Sequence, residues 1–415
     1  MKRNAVKELV AWKEKGDSTP FLIVGTKGVG KTYLAIEFAT AYYPQYLYVN
    51  FELNLSAREF FATHMQEQDN TLSETVAQYF QVEEYYLAEL AIILDEISFC
   101  PVVMESLKEH HNSSIIAISG NLSVVNERVS TEHCKMLRLF PLSFDEFLCA
   151  LGNDWYVDII QGHFYNAKPV PDIVHQELLA LFEEYLVVGG MPAAINEYII
   201  SKSVNNISEI HTMLANRIHS VVLSQCNEQE AGRATQILTV ISEQLEKENK
   251  KFRFNLIRKG VTYSLYKNSI SLLNNNGLVL RLNEKSKENS FKLYMPDVGM
   301  LSSAFLGTNN NETRKALLEN YVMQTLVANG IENIFFWESE AQAKVDFIIS
   351  RNGKETPVEL RISTTGKGKS IASYLASKEG QAACSEKKHY RFGFENFHST
   401  TVIEVIPYYA VFCVK

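Results

Sequence analysis

Residues 4 to 15 place Val6, Leu9, Val10 and Trp12 among Lys and Glu at helical spacing, and Gly16-Asp-Ser-Thr-Pro20 breaks the pattern. A short apolar run, Phe21-Leu-Ile-Val24, predicts a buried strand, and a glycine-rich turn and a helix from Lys31 to about Tyr42 follow it. Tyr46-Leu-Tyr-Val-Asn-Phe51 reads as a second strand. Two more apolar runs, Ala91-Ile-Ile-Leu94 and Ser114-Ile-Ile-Ala-Ile118, each follow helical segments. Strands alternating with helices predict parallel pairing, so residues 1–150 read as a doubly wound α/β domain with a parallel sheet.

From 151 to 232 the pattern turns mainly helical; Gln176 to Val188 is the clearest periodic segment, and Gly189-Gly190-Met191-Pro192 closes it in a sharp corner. Within 233–300, Ala234 to Lys247, Phe254 to Gly260 and Val261 to Asn274 read as helices, while Leu278 to Leu282 and Ser290 to Tyr294 read as a hairpin. Helices followed by a hairpin predict a winged helix-turn-helix. Residues 301–415 open with a helix, Arg314 to Ala328, and continue as strand-like runs at 334–337, 344–349 and 356–362, with Asn352-Gly353 as a hairpin turn. This predicts a second, mixed α/β domain.

Composition narrows the class. The 415 residues are 46% hydrophobic and 21% charged, which is globular usage and excludes collagen-like, low-complexity and wholly disordered chains. A net charge of −8 excludes a protein whose entire surface clamps nucleic acid. The charge is uneven: residues 233–300 hold twelve Lys and Arg against six Asp and Glu, a local excess of +6 that marks a separate basic module. Cys100, Cys134, Cys149, Cys226, Cys384 and Cys413 show neither a CxxC nor zinc-finger spacing, so buried thiols in a reducing compartment are expected. No apolar run approaches the roughly 18 residues of a membrane span, and charges interrupt the basic N-terminus, so a cytoplasmic, membrane-free protein is expected.

The sharpest chemical signal is Gly25-Thr26-Lys27-Gly28-Val29-Gly30-Lys31-Thr32, which fits GxxxxGK[ST] between a predicted strand and a helix. Glycines let backbone N–H groups wrap phosphates, Lys31 reaches the terminal phosphates and the Thr32 hydroxyl ligates Mg²⁺. Asp95-Glu96 ends the third apolar run; Asp95 is expected to hold Mg²⁺ and Glu96 to activate the attacking water. Ser119 and Asn121 close the next strand as candidate sensors of the terminal phosphate, or simply as a polar turn. Arg128 and Arg138 are the nearest arginines for transition-state charge, and Arg128 is the candidate.

Taken together, Gly25 to Thr32, Ile93-Leu-Asp-Glu-Ile97, Ile116-Ala-Ile-Ser-Gly120, Pro141-Leu-Ser-Phe-Asp-Glu-Phe147, Tyr185 to Pro192, Leu318-Glu-Asn320 and Val345-Asp-Phe347 resemble a prokaryotic family. Its members are AAA-type P-loop ATPases whose C-terminal part is a domain of unknown function akin to restriction-endonuclease folds. The resemblance implies an ATPase core at 1–150, a helical lid at 151–232, a winged helix at 233–300 and a degenerate restriction-endonuclease-like domain at 301–415. It departs from the family at Ser98, where Gln is usual, and in the long gap between Arg128 and Pro141.

In a DNA reader, Tyr263, Ser264, Tyr266, Lys267 and Asn268 would face the groove, with Arg258, Lys259 and Lys285 near phosphates; a protein-docking wedge is the alternative. In the tail, Asp346 and Glu359 are the candidate metal-binding acids, and Arg361 stands where a nuclease carries Lys. The expected activity is ATP binding and hydrolysis by a switch that contacts DNA or a protein partner and is open to oligomerisation. An ATP-regulated, metal-dependent nuclease and a non-hydrolysing ATP-binding scaffold are the alternatives.

Overall fold

In the computed structural model the described residues are 1–16, 19–108, 114–121, 129, 134–285, 287–308, 310–341, 343–362, 369–384 and 389–415. Two units make up the chain: Lys2–Phe140 with Asn275–Gly277, and a larger one of Pro141–Asn274 with Leu278–Lys415.

The first unit is built on five parallel strands: β1 (Phe21–Val24), β2 (Tyr46–Asn50), β3 (Ala91–Asp95), β4 (Ile115–Ser119) and β5 (Lys135–Arg138), in the order β2-β3-β4-β1-β5. Every residue of β1, β3 and β4 is buried, as unbroken apolar runs require when helices cover both faces. Parallel pairing forces each connection to cross over, so the carboxyl ends of all five strands gather at one edge. That edge carries the loop after β1, Glu96 after β3, Gly120 after β4 and Leu139 after β5. The sequence pattern finds four of these strands. It misses β5, whose Lys135-Met-Leu-Arg138 is half-exposed and polar at both ends, as suits a short edge strand. Pairing is nonetheless specific, with Val24 beside Arg138.

The second unit begins at Pro141. Ser143 and Glu146 form a capping box that starts the helix Phe144–Ala150. Helices Asp154–Asn166, Asp172–Val188, Pro192–Ser201, Ile207–Gln225 and Glu228–Glu246 follow, matching the helical pattern of the sequence. Gly189 ends the long helix at φ 71°, and the Gly190 N–H donates to Asp297 Oδ2 at 2.6 Å. A Cβ on Gly190 would stand 2.1 Å from the Leu142 carbonyl oxygen, so the corner demands glycine through close backbone approach.

The rest of this unit combines further helices with an eight-stranded sheet of β6 (Leu280–Glu284), β7 (Lys287–Tyr294), β8 (Ile334–Glu338), β9 (Lys344–Arg351), β10 (Lys354–Leu360), β11 (His389–Gly393), β12 (His398–Ser399) and β13 (Ile403–Pro407), ordered β12-β13-β11-β10-β9-β8-β6-β7. The hairpin expected as a wing exists as β6 and β7, and β6 also pairs in parallel with β8 and joins the tail's sheet. The expected groove residues separate as well. Ser264, Lys267 and Asn268 are exposed on the helix Tyr263–Asn275, whereas Tyr266 is buried and donates to Gln236 Oε1 at 2.6 Å. Tyr266 is a packing residue. Lys285 is likewise engaged, paired with Glu355.

Candidate nucleotide-binding site

The loop from Gly25 to Gly30 leaves β1 and delivers the chain into the helix Lys31–Tyr42. Gly28 and Gly30 sit at φ 91° and 95°, left-handed positions that glycine takes without strain. A Cβ on Gly25 would lie 2.3 Å from the Leu139 carbonyl oxygen. The glycines of the motif are thus dictated by backbone geometry. Arg3 ties the loop from outside: its guanidinium donates to the Val29 carbonyl at 2.8 Å and the Phe140 carbonyl at 2.6 Å.

Lys31 is buried and donates its ammonium to the carbonyls of Gly25 (2.9 Å) and Thr26 (3.4 Å). Burial lowers its pKa, and the nearby carboxylates of Glu96 and Asp95 oppose the shift. A phosphate oxygen is a stronger, charged acceptor than either carbonyl, so the same ammonium can turn to one. Lys27 is paired with Glu52, just beyond β2. Thr26 donates its hydroxyl to the Gly277 carbonyl at 2.9 Å, within the same unit although 251 residues away.

Asp95 ends β3, which β4 separates from β1. Its Oδ2 accepts three hydrogen bonds, from Thr32 Oγ1 (2.8 Å), Tyr48 OH (2.9 Å) and Asn50 Nδ2 (3.1 Å). Its Oδ1 is buried and makes no hydrogen bond with the described residues. An orphaned carboxylate oxygen beside a threonine hydroxyl fits a hydrated Mg²⁺, whose waters would satisfy it. Burial pushes the Tyr48 hydroxyl up to about 12, with the Asp95 charge adding to it, so Tyr48 stays a donor.

Glu96 takes the left-handed conformation at φ 53° as the chain leaves β3. Its carboxylate accepts from the Gly120 N–H at 2.9 Å and stands 3.9 Å from the Lys31 ammonium. Burial raises its pKa above the usual carboxylate range; Lys31 and the Gly120 N–H pull the other way. A desolvated carboxylate of this kind accepts a proton more readily than a surface one.

Ser119 and Asn121 are buried, and the Asn121 N–H donates to Ser119 Oγ at 3.0 Å. Arg128 lies outside the described residues. Arg138 ends β5 with its guanidinium over the Phe140 ring at 5.1 Å. A Cβ on Gly277 would stand 3.2 Å from both Arg138 Nη2 and Thr26 Oγ1, so this arginine borders the phosphate loop. The structure therefore gathers Gly25 to Thr32, Asp95 and Glu96, and adds Tyr48, Asn50, Glu52, Arg3 and Arg138 to them.

The motif's context is complete: a parallel sheet, a glycine loop opening a helix, and paired acids ending the next strand but one. Residues 17–148 match the AAA domain family. The first unit is an AAA domain. Behind the AAA domain, residues 179–312 match a domain of unknown function (DUF8612) and residues 314–411 another (DUF4143). No curated protein shows significant similarity to the chain. Among solved structures, the Walker-type ATPase of Pyrococcus abyssi is 14% identical, with a TM-score of 0.44, and the match covers 73% of this chain and 95% of that one. The Aeropyrum pernix Orc1 protein in complex with DNA is 15% identical, with a TM-score of 0.32 over 77% of this chain and 93% of that one.

Glu359 is held by Arg391 Nε at 2.9 Å and Arg361 Nε at 3.5 Å, whereas Asp346 accepts the Leu360 N–H at 3.3 Å and belongs with Glu319 and lysines. Of the expected metal pair Asp346 and Glu359, the second acid already faces two guanidinium groups as counter-charge. Among the described residues no three His, Cys, Asp or Glu side chains gather as a metal site. No described helix is long and apolar enough to cross a membrane.

Proposed function

We propose that the chain is an ATP-hydrolysing AAA-type molecular switch whose second unit contacts DNA or a protein partner in response to the bound nucleotide. The observation that carries this reading is Asp95, with one oxygen saturated by Thr32, Tyr48 and Asn50 and the other buried and unpartnered. In this reading the N–H groups of Gly25 to Gly30 cradle the phosphates, and Lys31 leaves the Gly25 and Thr26 carbonyls for the terminal phosphate. Thr32 and Asp95 would hold Mg²⁺, which when bound neutralises charge on the phosphate oxygens. Glu96 orients a water and takes its proton, its raised pKa favouring the transfer. Ser119 and Asn121 sense the terminal phosphate from the end of β4, and Arg138 supplies positive charge at the end of β5.

On the second unit, exposed Arg258, Lys259, Lys267, Ser264 and Asn268 are the groups a nucleic-acid partner would meet. Steady-state phosphate release, with and without single- and double-stranded DNA, tests both halves. Release that is absent in Lys31→Ala and stimulated by DNA is expected. Wild-type release no greater than that of Lys31→Ala overturns hydrolysis, and stimulation by neither DNA form leaves a protein as the partner.

A further inference from the structure

Within the second unit, a cavity of about 30 Å³ lies between the 248–251 turn, β7, β8, β9 and the helix Asn311–Ala328. At its centre is Glu319, almost fully buried. Three ammonium groups converge on this one carboxylate: Lys250 at 3.1 Å, Lys292 at 3.5 Å and Lys315 at 4.0 Å. The Tyr294 hydroxyl also donates to it, at 3.1 Å. Both oxygens of Glu319 are therefore taken.

The donors are not. Each ammonium carries three N–H groups. Among the described residues Lys250, whose side chain is only 2% exposed, hydrogen-bonds to Glu319 alone. Lys292 makes one long bond to the same residue and otherwise lies over the Phe336 ring. Lys315 reaches Glu319 at ion-pair range without hydrogen-bonding it. The second acid, Asp346, is already engaged by a backbone N–H, and burial followed by the Glu319 charge raises its pKa, so it is the weaker counter-charge. Around the cavity five lysines (Lys250, Lys251, Lys292, Lys315 and Lys344) face four acids (Glu248, Glu319, Glu338 and Asp346), an excess of one positive charge, and the unmatched donors are costliest at Lys250 and Lys292, whose side chains are 2% and 12% exposed.

What matches this surplus is an acceptor with negative charge on several oxygens. A divalent cation would meet three ammoniums; a neutral polar ligand would supply acceptors but no charge. The cavity admits one or two water-sized oxygens. We propose that it is a phosphate-binding site, in which one or two oxygens of a phosphate group sit among Lys250, Lys292 and Lys315 while the remainder stays at the mouth. The site stands independently of nucleotide binding at Gly25 to Thr32.

Calorimetry on the full chain carrying Lys31→Ala, which silences the phosphate loop, tests it with three probes: inorganic phosphate, a 5′-phosphorylated oligonucleotide and the same oligonucleotide without the phosphate. Binding of inorganic phosphate identifies free phosphate as a sufficient ligand. Binding of the phosphorylated oligonucleotide alone assigns the site to a nucleic-acid end. In either case Lys292→Met weakens binding about tenfold, the value of one charged hydrogen bond. Glu319→Gln removes the competing charge while keeping an acceptor for Tyr294, and it tightens binding by about the same factor. Tightening cannot be mimicked by a misfolded variant. No heat from either phosphate-bearing probe, or unchanged affinity in both variants, overturns the proposal.

Discussion

Thr32 Oγ1 stands 2.8 Å from Asp95 Oδ2, the oxygen that Tyr48 and Asn50 also hold, and leaves Asp95 Oδ1 as the unmatched end of the carboxylate. Asparagine at position 95 can keep the three-donor oxygen and put an amide where the orphan was. Asp95→Asn is therefore expected to shift the thermal midpoint by no more than about 4 °C. The charge that would hold Mg²⁺ disappears, so calorimetry should find nucleotide affinity in the variant insensitive to Mg²⁺. A magnesium dependence equal to that of the wild type would remove Asp95 from that role.

Glu96→Gln retains an acceptor for the Gly120 N–H and loses the base. Phosphate release should fall about a hundredfold to ten-thousandfold while nucleotide binding persists. The pH profile carries a second signature. Burial raises the Glu96 pKa and the active form is the carboxylate, so activity should fall as pH drops through a midpoint above the ordinary glutamate value of about 4.3. An acid limb at or below that value contradicts the assignment.

Two glycines should respond to alanine in opposite directions. At Gly190 the new methyl meets the Leu142 carbonyl oxygen at 2.1 Å, and overpacking of this kind costs about 1–3 kcal/mol. At Gly232, inside the helix Glu228–Glu246, nothing lies within 4 Å, and alanine should add up to about 1 kcal/mol. Urea unfolding of the pair distinguishes the corner from an ordinary helical site.

Burial alone would raise the Glu319 pKa, but Lys292, Lys250 and Lys315 outweigh it and hold the carboxyl at about 2. A depressed folded-state value means that this contribution to stability is complete above the unfolded value of about 4.3 and is lost as pH falls toward 2. The stability gap between wild type and Glu319→Gln should therefore narrow between pH 5 and 2, as followed by urea unfolding. A gap that stays constant across this window would show that the carboxylate is not held low.

Local chemistry made the first unit readable. Phe21–Val24 is an apolar run because both faces of β1 are covered, and Gly25, Gly28 and Gly30 are glycines because the turn after it needs them. What surrounds Asp95 was not readable, since Tyr48 and Asn50 reach it only through the pairing of β2 with β3, with Asn50 beside Asp95. Arg3 and Gly277 escaped for the same reason: their bonds to the loop span 26 and 251 residues. In the second unit most helices and the hairpin followed the hydrophobic pattern, except Phe254 to Gly260, where only a 3-10 turn at Phe254–Leu256 forms, and a pattern of two strands does not say whether their edge is free. Spacing likewise put Asp346 and Glu359 on neighbouring strands, yet which basic groups face each acid is decided by the fold around them.

The bond between β6 and β8 has a mechanical meaning. A hairpin fastened to a broad sheet at Asn283 and Glu284 cannot swing at that end while its neighbours stay still. Any rearrangement that tilts β6 and β7 must drag the strands beyond them, so a signal entering at this border would travel through the tail as one stiff plate.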